Sequence, residues 1–120
     1  MIRAALTIFL LMFAVPAYAE TMVLASHYKA VGKNPDGSKY DGTVDINVIS
    51  DTTFSIVWKI DGAVYKGFGM RMNESLAATY TLDGEPGLVI YKAGDGGTFG
   101  GLWAVKGQNG SGSEVLTPLK

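Results

Sequence analysis

The most informative stretch of the chain reads Phe54-Ser55-Ile56-Val57-Trp58-Lys59-Ile60-Asp61-Gly62. Phe54, Ile56, Trp58 and Ile60 stand at every second position, so in an extended chain they share one face. Ser55, Val57 and Lys59 share the other face, and this alternation is typical of antiparallel sheet with one side buried. The Asp61-Gly62 dipeptide tolerates positive φ and suits a tight hairpin turn. The stretch therefore predicts a strand that runs into a β-hairpin.

The same pattern recurs on both sides of this hairpin. Tyr40, Gly42, Val44, Ile46 and Val48 alternate with polar residues, and further on Leu76, Ala78, Tyr80 and Leu82 alternate with Ala77, Thr79 and Thr81. Asn34-Pro35-Asp36-Gly37, Asp83-Gly84, Asp95-Gly96-Gly97 and Asn109-Gly110 supply turn residues between such runs. The sequence predicts eight strands, at about 23–32, 39–49, 53–60, 63–72, 75–82, 87–93, 98–106 and 113–117.

Eight consecutive antiparallel strands predict an all-β domain built as an up-and-down β-barrel, because closure removes exposed sheet edges. A β-sandwich has the same alternation and remains an alternative. A pattern Gly-x-x-aromatic-x-Gly occurs three times, at 37–42, 62–67 and 96–101. We expect its first glycine to close a turn and its aromatic residue to face inward. The second glycine would then leave room for a neighbouring ring.

Residues 1–19 have the organisation of a secretory signal peptide. Arg3 supplies a positive charge, the run from Ala4 to Val15 is apolar, and Ala17-Tyr18-Ala19 is a small-x-small cleavage site. Twelve apolar residues are fewer than the roughly 20 that span a bilayer as a helix. We therefore expect an exported protein, periplasmic or secreted, whose mature part is one domain over residues 20–120 and has no stable membrane insertion.

Composition excludes several classes of function. The chain has 120 residues, 48% of them hydrophobic, a net charge of −1, no cysteine and one histidine. Such a chain can bury enough apolar surface to fold, and it lacks a broad basic face for nucleic acid. It has no cysteine ligands for a metal, and His27 alone cannot form a histidine-rich zinc site. We expect no cofactor, no metal site and no catalytic residues.

Several spaced motifs carry a resemblance that extends from Gly32 to Pro118. They are Gly32-x-Asn34-Pro35-Asp36-Gly37-Ser38-x-Tyr40-x-Gly42-Thr43, Trp58-x-Ile60-x-Gly62, Tyr65-x-Gly67-x-Gly69, Leu76-Ala77, Pro86-Gly87-Leu88-Val89-x-Tyr91, Gly101-x-Trp103 and Gly112-Ser113-Glu114-x-Leu116-Thr117-Pro118. With these motifs the chain resembles small exported bacterial proteins often labelled fibronectin-binding proteins. That resemblance implies recognition of an extracellular macromolecule such as fibronectin. The Tyr-x-Gly and Gly-x-Trp elements are also similar in architecture to avidin-like and lipocalin-like barrels.

The sequence thus favours a non-catalytic binding protein rather than an enzyme. In one version the loops 33–38 and 107–113 contact a macromolecule. In a second version the barrel interior holds a small apolar or aromatic ligand. A third alternative is an envelope structural or inhibitor protein. For the second version, the candidate ligand-binding residues are Trp58, Trp103, Tyr40, Tyr65 and Tyr80.

Two further side chains bear on the chemistry. His27 alternates with Tyr28 and Ala30, which predicts an outward, solvated position beside Lys29. Glu114 shares a face with Leu116, so it is either exposed at a strand end or buried at a barrel mouth. A buried carboxylate needs a partner, and we expect Arg71 or a lysine, or else a ligand, to supply it.

Overall fold

The computed structural model describes residues 22–120, so the predicted signal peptide at 1–19 lies outside the described residues. Each of the eight strands ends at or next to turn residues, as the alternating pattern predicts. The strands are β1 (His27–Lys33), β2 (Lys39–Val48), β3 (Thr53–Ile60), β4 (Ala63–Met72), β5 (Ser75–Leu82), β6 (Glu85–Ala93), β7 (Phe99–Val105) and β8 (Gly112–Pro118). A 3-10 turn, Asp95–Gly97, precedes β7. Within residues 22–120, no helix is long and apolar enough to cross a membrane.

The strands form a closed antiparallel barrel. Every strand pairs with its sequence neighbours, and β1 also pairs with β8, with Ala30 opposite Leu116. This last pairing distinguishes the barrel from the sandwich, because a sandwich would leave β1 and β8 as edges of separate sheets. The predicted up-and-down barrel is therefore confirmed.

The two ends of the barrel differ. We call the end that carries the turns after β1, β3, β5 and β7 the hairpin end, and the opposite end, where the chain enters and leaves the barrel, the terminal end. The tightest core lies toward the terminal end. There Phe54, Leu76 and Leu116 are fully buried. Met22, Leu24 and Ala25 pack against this core from below, so the terminal end is filled by side chains.

The first strand starts later than the sequence pattern predicts. β1 begins at His27, whereas the alternation suggested a start near residue 23. The Ala25 amide donates a hydrogen bond to the Tyr28 hydroxyl, and the Arg71 guanidinium donates one to the Met22 carbonyl. Residues 22–25 therefore bond to side chains at the base of the barrel instead of extending the ladder.

The tight turns follow the sequence prediction. Asp61 and Gly62 have φ values of 51° and 80°, and Asp83 and Gly84 have values of 52° and 82°. Positive φ at both central positions is the geometry whose twist matches that of antiparallel strands. Because the second of these turns is only two residues long, β6 starts at Glu85, two residues earlier than predicted.

The repeated Gly-x-x-aromatic-x-Gly pattern places its aromatic residues inward, as predicted. A Cβ atom added at Gly67 would lie 3.0 Å from the Trp58 ring, and one at Gly101 would lie 2.5 Å from the Tyr91 ring. These glycines leave room for rings. At Gly42 the nearest side chain is Ile60, so the prediction of a neighbouring ring is wrong at this position. The first glycine of the third repeat, Gly96, lies in the 3-10 turn.

The outer surface is polar on one side of the barrel and apolar on the other. Across β1, β2 and β3 the outward side chains form ion pairs, such as Lys29 with Asp41 at 3.2 Å. Across β6 and β7 the outward residues include Leu88, Ile90 and Leu102, each more than 60% exposed. The polar outer face inferred from β2 and β3 therefore does not extend around the whole barrel.

Candidate ligand-binding site

A cavity of about 260 Å³ occupies the half of the barrel next to the hairpin end. Its walls come from inward-facing positions of seven strands, β2 to β8, and its rim comes from hairpin turns. The lining residues are Asn34, Tyr40, Trp58, Ile60, Asp61, Ala63, Tyr65, Tyr80, Leu82, Val89, Tyr91, Trp103 and Glu114.

The structure brings all five predicted ligand-binding residues to this cavity. Trp58 is 5% exposed, and Tyr40, Tyr65, Tyr80 and Trp103 are half-buried around it. The Trp58 and Tyr80 rings are tilted against each other with centroids 5.2 Å apart, and Tyr40 meets Trp103 edge to face at 6.3 Å. Together these rings form an aromatic wall. Whether the wall contacts a ligand stays a prediction.

Glycines in the neighbouring strands allow three of these rings to lie flat against the barrel wall. Tyr40 stands directly opposite Gly32, Tyr80 opposite Gly87, and Trp103 opposite Gly112. In each pair the ring lies over the glycine, where an added Cβ would overlap it. The rings therefore lie across the adjacent strands, and the space at the centre of the cavity remains.

Glu114 forms the floor of the cavity. Its side chain is 3% exposed, and both carboxylate oxygens accept hydrogen bonds from neutral donors. The Tyr40 hydroxyl donates to Oε1 at 2.8 Å. The Trp58 indole N–H is shared between Oε2 at 3.2 Å and the Tyr91 hydroxyl oxygen at 3.0 Å. The Tyr91 hydroxyl also donates to Oε2. Trp103 extends the network, because its indole N–H donates to the Tyr40 oxygen at 2.9 Å.

This arrangement corrects the expectation for Glu114. The residue is buried rather than exposed at a strand end, and its partners are two phenols and an indole rather than Arg71 or a lysine. Arg71 lies elsewhere, at the terminal end with the Met22 carbonyl. Alternation alone could place Glu114 inward with Leu116, but its donors come from β2, β3 and β6 across the barrel. Among the donors to Glu114, Tyr91 is the one that the five candidate residues did not include.

Burial and hydrogen bonding act on the Glu114 pKa in opposite directions. Desolvation raises the pKa of this carboxyl and dominates, while the bonds from Tyr91, Tyr40 and Trp58 lower it in part. The same burial and the nearby carboxylate raise the pKa of Tyr80 to about 12 and raise those of Tyr40 and Tyr91 further. The phenols therefore stay protonated around neutral pH and act as donors.

The part of the chain that the structure describes contains no cluster of metal-ligating side chains. Over residues 22–120 no group of three His, Asp or Glu side chains is close enough to hold a metal ion. His27 lies on the outer surface, as predicted, and its Nδ1 is 2.7 Å from the Asp45 carboxylate.

Comparisons with known proteins support the barrel fold and identify no family or function. No family model matches the chain, and no curated protein matches it. Among solved structures, it is similar to a redesigned β-barrel, with a TM-score of 0.65, 17% sequence identity and coverage of 81% of this chain and 92% of that one. It is also similar to a de novo designed fluorescence-activating β-barrel, with a TM-score of 0.64 and 16% identity over 82% of this chain and 96% of that one.

A third similar structure is a redesigned β-barrel, mFAP1, bound to DFHBI. It has a TM-score of 0.64 and 18% identity over 78% of this chain and 94% of that one. Likeness at such low identity shows a shared barrel fold. Any function of this chain must be argued from its own residues.

Proposed function

We propose that this protein is an exported, non-catalytic binding protein that holds a small, flat aromatic molecule inside the hairpin end of the barrel. The observation that carries this proposal is the cavity of about 260 Å³, whose wall is aromatic and whose floor is one buried carboxylate. Mostly apolar walls with a few placed polar groups are the usual composition of small-molecule sites.

The size of the cavity restricts the ligand. Drug-sized ligands occupy pockets of roughly 300–1,000 Å³, whereas an apolar cavity of about 150 Å³ accepts benzene. At about 260 Å³ this cavity lies between the two. We therefore expect a ligand with one or two fused rings and a short side chain. That a redesigned barrel of similar fold is bound to DFHBI supports the idea that such a fold can hold a ligand.

The test is calorimetric titration of the purified protein with tryptamine, tryptophol and indole-3-propionate, which share a ring system and differ in charge. We expect at least one of them to bind and to raise the melting temperature, because a ligand of the native state stabilises it by mass action. A blocking variant, Ala63→Phe, places a ring at the rim of the cavity and should abolish that binding.

The matched control is Ala77→Phe, the same substitution at an exposed, outward position of β5. It should bind as the unmodified protein does. The proposal is wrong if none of the three compounds binds the unmodified protein, or if Ala63→Phe binds as well as Ala77→Phe does.

Export and recognition of fibronectin stay predictions from the sequence. Export rests on the pattern of residues 1–19, and fibronectin recognition rests on the family resemblance. Processing is checked by N-terminal sequencing of protein recovered from the periplasm and the medium, with Glu20 expected as the first residue. Replacement of the exposed positions within the two loops, 36–38 and 107–111, would test macromolecular contacts while keeping Asn34 and Glu114 at the cavity and Gly112 against Trp103.

A further inference from the structure

We propose that the ligand of this cavity is an organic cation, an aromatic molecule that carries a protonated amine or a similar positive group, and that Glu114 receives its charge. This inference rests on the proposed function and names the chemical class of the ligand. It follows from three features of the site, which concern the donors around Glu114, the charges around the cavity and the character of the walls.

The donors around Glu114 suit an ionised carboxylate. The Trp58 indole N–H can only donate, and it is shared between Oε2 at 3.2 Å and the Tyr91 hydroxyl oxygen at 3.0 Å. The Tyr40 hydroxyl accepts from the Trp103 indole at 2.9 Å, so its own proton is free to be given to Oε1. Tyr91 donates its proton to Oε2. All three contacts therefore use the carboxylate as acceptor, as expected when it carries a negative charge.

A carboxylate has about four lone-pair positions, and these three donors do not use them all. Oε1 accepts from Tyr40, whereas Oε2 accepts from both Trp58 and Tyr91. A ligand donor that reaches the cavity floor therefore has an acceptor in Oε1. The site can bind a positive group without breaking the existing network.

The charges of the cavity are of one sign. Among the residues that line it, Asp61 and Glu114 are acidic, and none is lysine, arginine or histidine. The ion pairs found over residues 22–120 lie on the outer surface of β1 to β3, where they join His27 and Lys59 to Asp45, and Lys29 to Asp41. The buried charge of Glu114 is thus held by neutral donors, and a positive ligand would complement it.

The walls favour the same class of ligand. Aromatic faces attract cations through the ring quadrupole, and tryptophan and tyrosine do so most strongly. Tyr40, Trp58, Tyr80, Tyr91 and Trp103 surround the space above Glu114. A positive group on the floor would meet both the carboxylate and these rings, whereas a negative group would be repelled by the carboxylate.

The three probes named above also test this inference. In the unmodified protein tryptamine should bind about tenfold or more tightly than neutral tryptophol, and indole-3-propionate should bind most weakly. In Glu114→Gln, which keeps the shape of the side chain and removes its charge, this preference for tryptamine should disappear. In Asp61→Asn, which changes the rim carboxylate, the preference should persist.

The same titrations distinguish a failure of the proposed function from a failure of the proposed ligand class. If tryptophol or indole-3-propionate binds as tightly as tryptamine, the ligand class is wrong while the proposed function stands. If Asp61→Asn, and not Glu114→Gln, loses the preference, Glu114 is not the group that receives the charge. If none of the three probes binds, both the function and the ligand class are wrong. The comparison within the unmodified protein tests the ligand class without any variant, and a loss of the preference in Asp61→Asn would exclude Glu114 as the acceptor even if Glu114→Gln does not fold.

Discussion

At the scale of single residues, Glu114 is the side chain that most distinguishes this protein from a simple packed barrel. Burying a carboxylate is costly unless hydrogen bonds replace its lost hydration. Here Tyr40, Trp58 and Tyr91 supply those bonds, and each of these rings also contributes apolar wall. The charged group is therefore held in position by the same side chains that shape the cavity.

We predict that Tyr91→Phe lowers the free energy of unfolding by about 1–3 kcal/mol, because it removes a buried donor to a charged group. Urea unfolding measures the change. The control is Tyr80→Phe, whose hydroxyl makes only a long contact within residues 22–120, 3.5 Å to the Ala104 carbonyl. That substitution should change stability by less than about 0.5 kcal/mol. Equal effects of the two substitutions would contradict the role assigned to Tyr91.

The pH dependence of stability should reveal the raised pKa of Glu114. Burial raises the folded-state pKa of this carboxyl above its ordinary value of 4.5. Its contribution to stability is therefore fully present below pH 4.5 and is lost as pH rises through the folded-state pKa. The phenols that face it have raised pKa values and titrate well above this range.

We therefore expect the stability of the unmodified protein, relative to Glu114→Gln, to fall as pH rises from about 4 and then to level off. Urea unfolding of both proteins at about five pH values between 4 and 8 provides the measurement. Taking the difference cancels the contributions of Asp36 and Asp45, whose pKa values are lowered by hydrogen bonds to Ser38 and His27 respectively. A difference that stays constant or rises with pH would contradict the raised pKa of Glu114.

At the scale of strands, the recurring unit is an aromatic residue directly opposite a glycine. Besides the three pairs at the cavity, Phe54 faces Gly69 and Tyr91 faces Gly101. In all five pairs an added Cβ would overlap the ring. A ring that covers the backbone of a glycine shields it from water and fixes the register of the two strands. The many glycines of the chain thus have a packing role in addition to their role in turns.

Two adjacent glycines of β7 provide a direct test of this role. Gly101 is inward, and a Cβ there would lie 2.5 Å from the Tyr91 ring and 2.7 Å from the Ile90 carbonyl. Gly100 is outward, with nothing within 4 Å of an added Cβ. We expect Gly101→Ala to destabilise the protein by about 1–3 kcal/mol through overpacking.

Gly100→Ala, made in the same strand one position away, should be neutral or slightly stabilising, because alanine has less conformational freedom than glycine in the unfolded chain. Thermal or urea unfolding distinguishes the two variants. If Gly101→Ala is as stable as Gly100→Ala, the rings do not require the glycines opposite them.

At the scale of the whole molecule, the packed core and the cavity lie at opposite ends of the barrel axis. The terminal end is packed, with Leu76, Leu116 and Phe54 fully buried and residues 22–25 against them. The hairpin end holds the cavity. An eight-stranded barrel is just wide enough either to fill with side chains or to hold one small ligand, and this protein does one in each half.

We predict that a chain that begins at Ser26 is less stable than one that begins at Glu20, by about 1–3 kcal/mol, because it lacks the packing of Met22 and Leu24. Urea unfolding measures the loss. Val23→Ala is the control, since Val23 is 85% exposed and its truncation should have almost no effect. The shortened chain should still bind the aromatic probes, because the cavity lies at the other end. Loss of binding at a temperature where the barrel remains folded would contradict this separation.

The sequence by itself determined the all-β fold class, the strands and the character of the interior. Alternation in β2, β3 and β5, with Asp-Gly at two turns, predicted the strands, because the period of two and the positive-φ dipeptides are local properties of the chain. It also placed Trp58, Trp103, Tyr40, Tyr65 and Tyr80 on the inner face, where the structure finds them around one cavity. Alternation could not choose between barrel and sandwich, since both bury one face of every strand.

Only the tertiary structure decided closure, the environment of Glu114 and the division of the barrel into a packed half and a half with a cavity. Closure depends on the pairing of β1 with β8, which are far apart in the chain. Glu114 meets Tyr40, Trp58 and Tyr91 across the barrel, at sequence separations of 74, 56 and 23 residues. Such contacts follow from shear and closure, which set which inward side chains meet, and no local pattern encodes them.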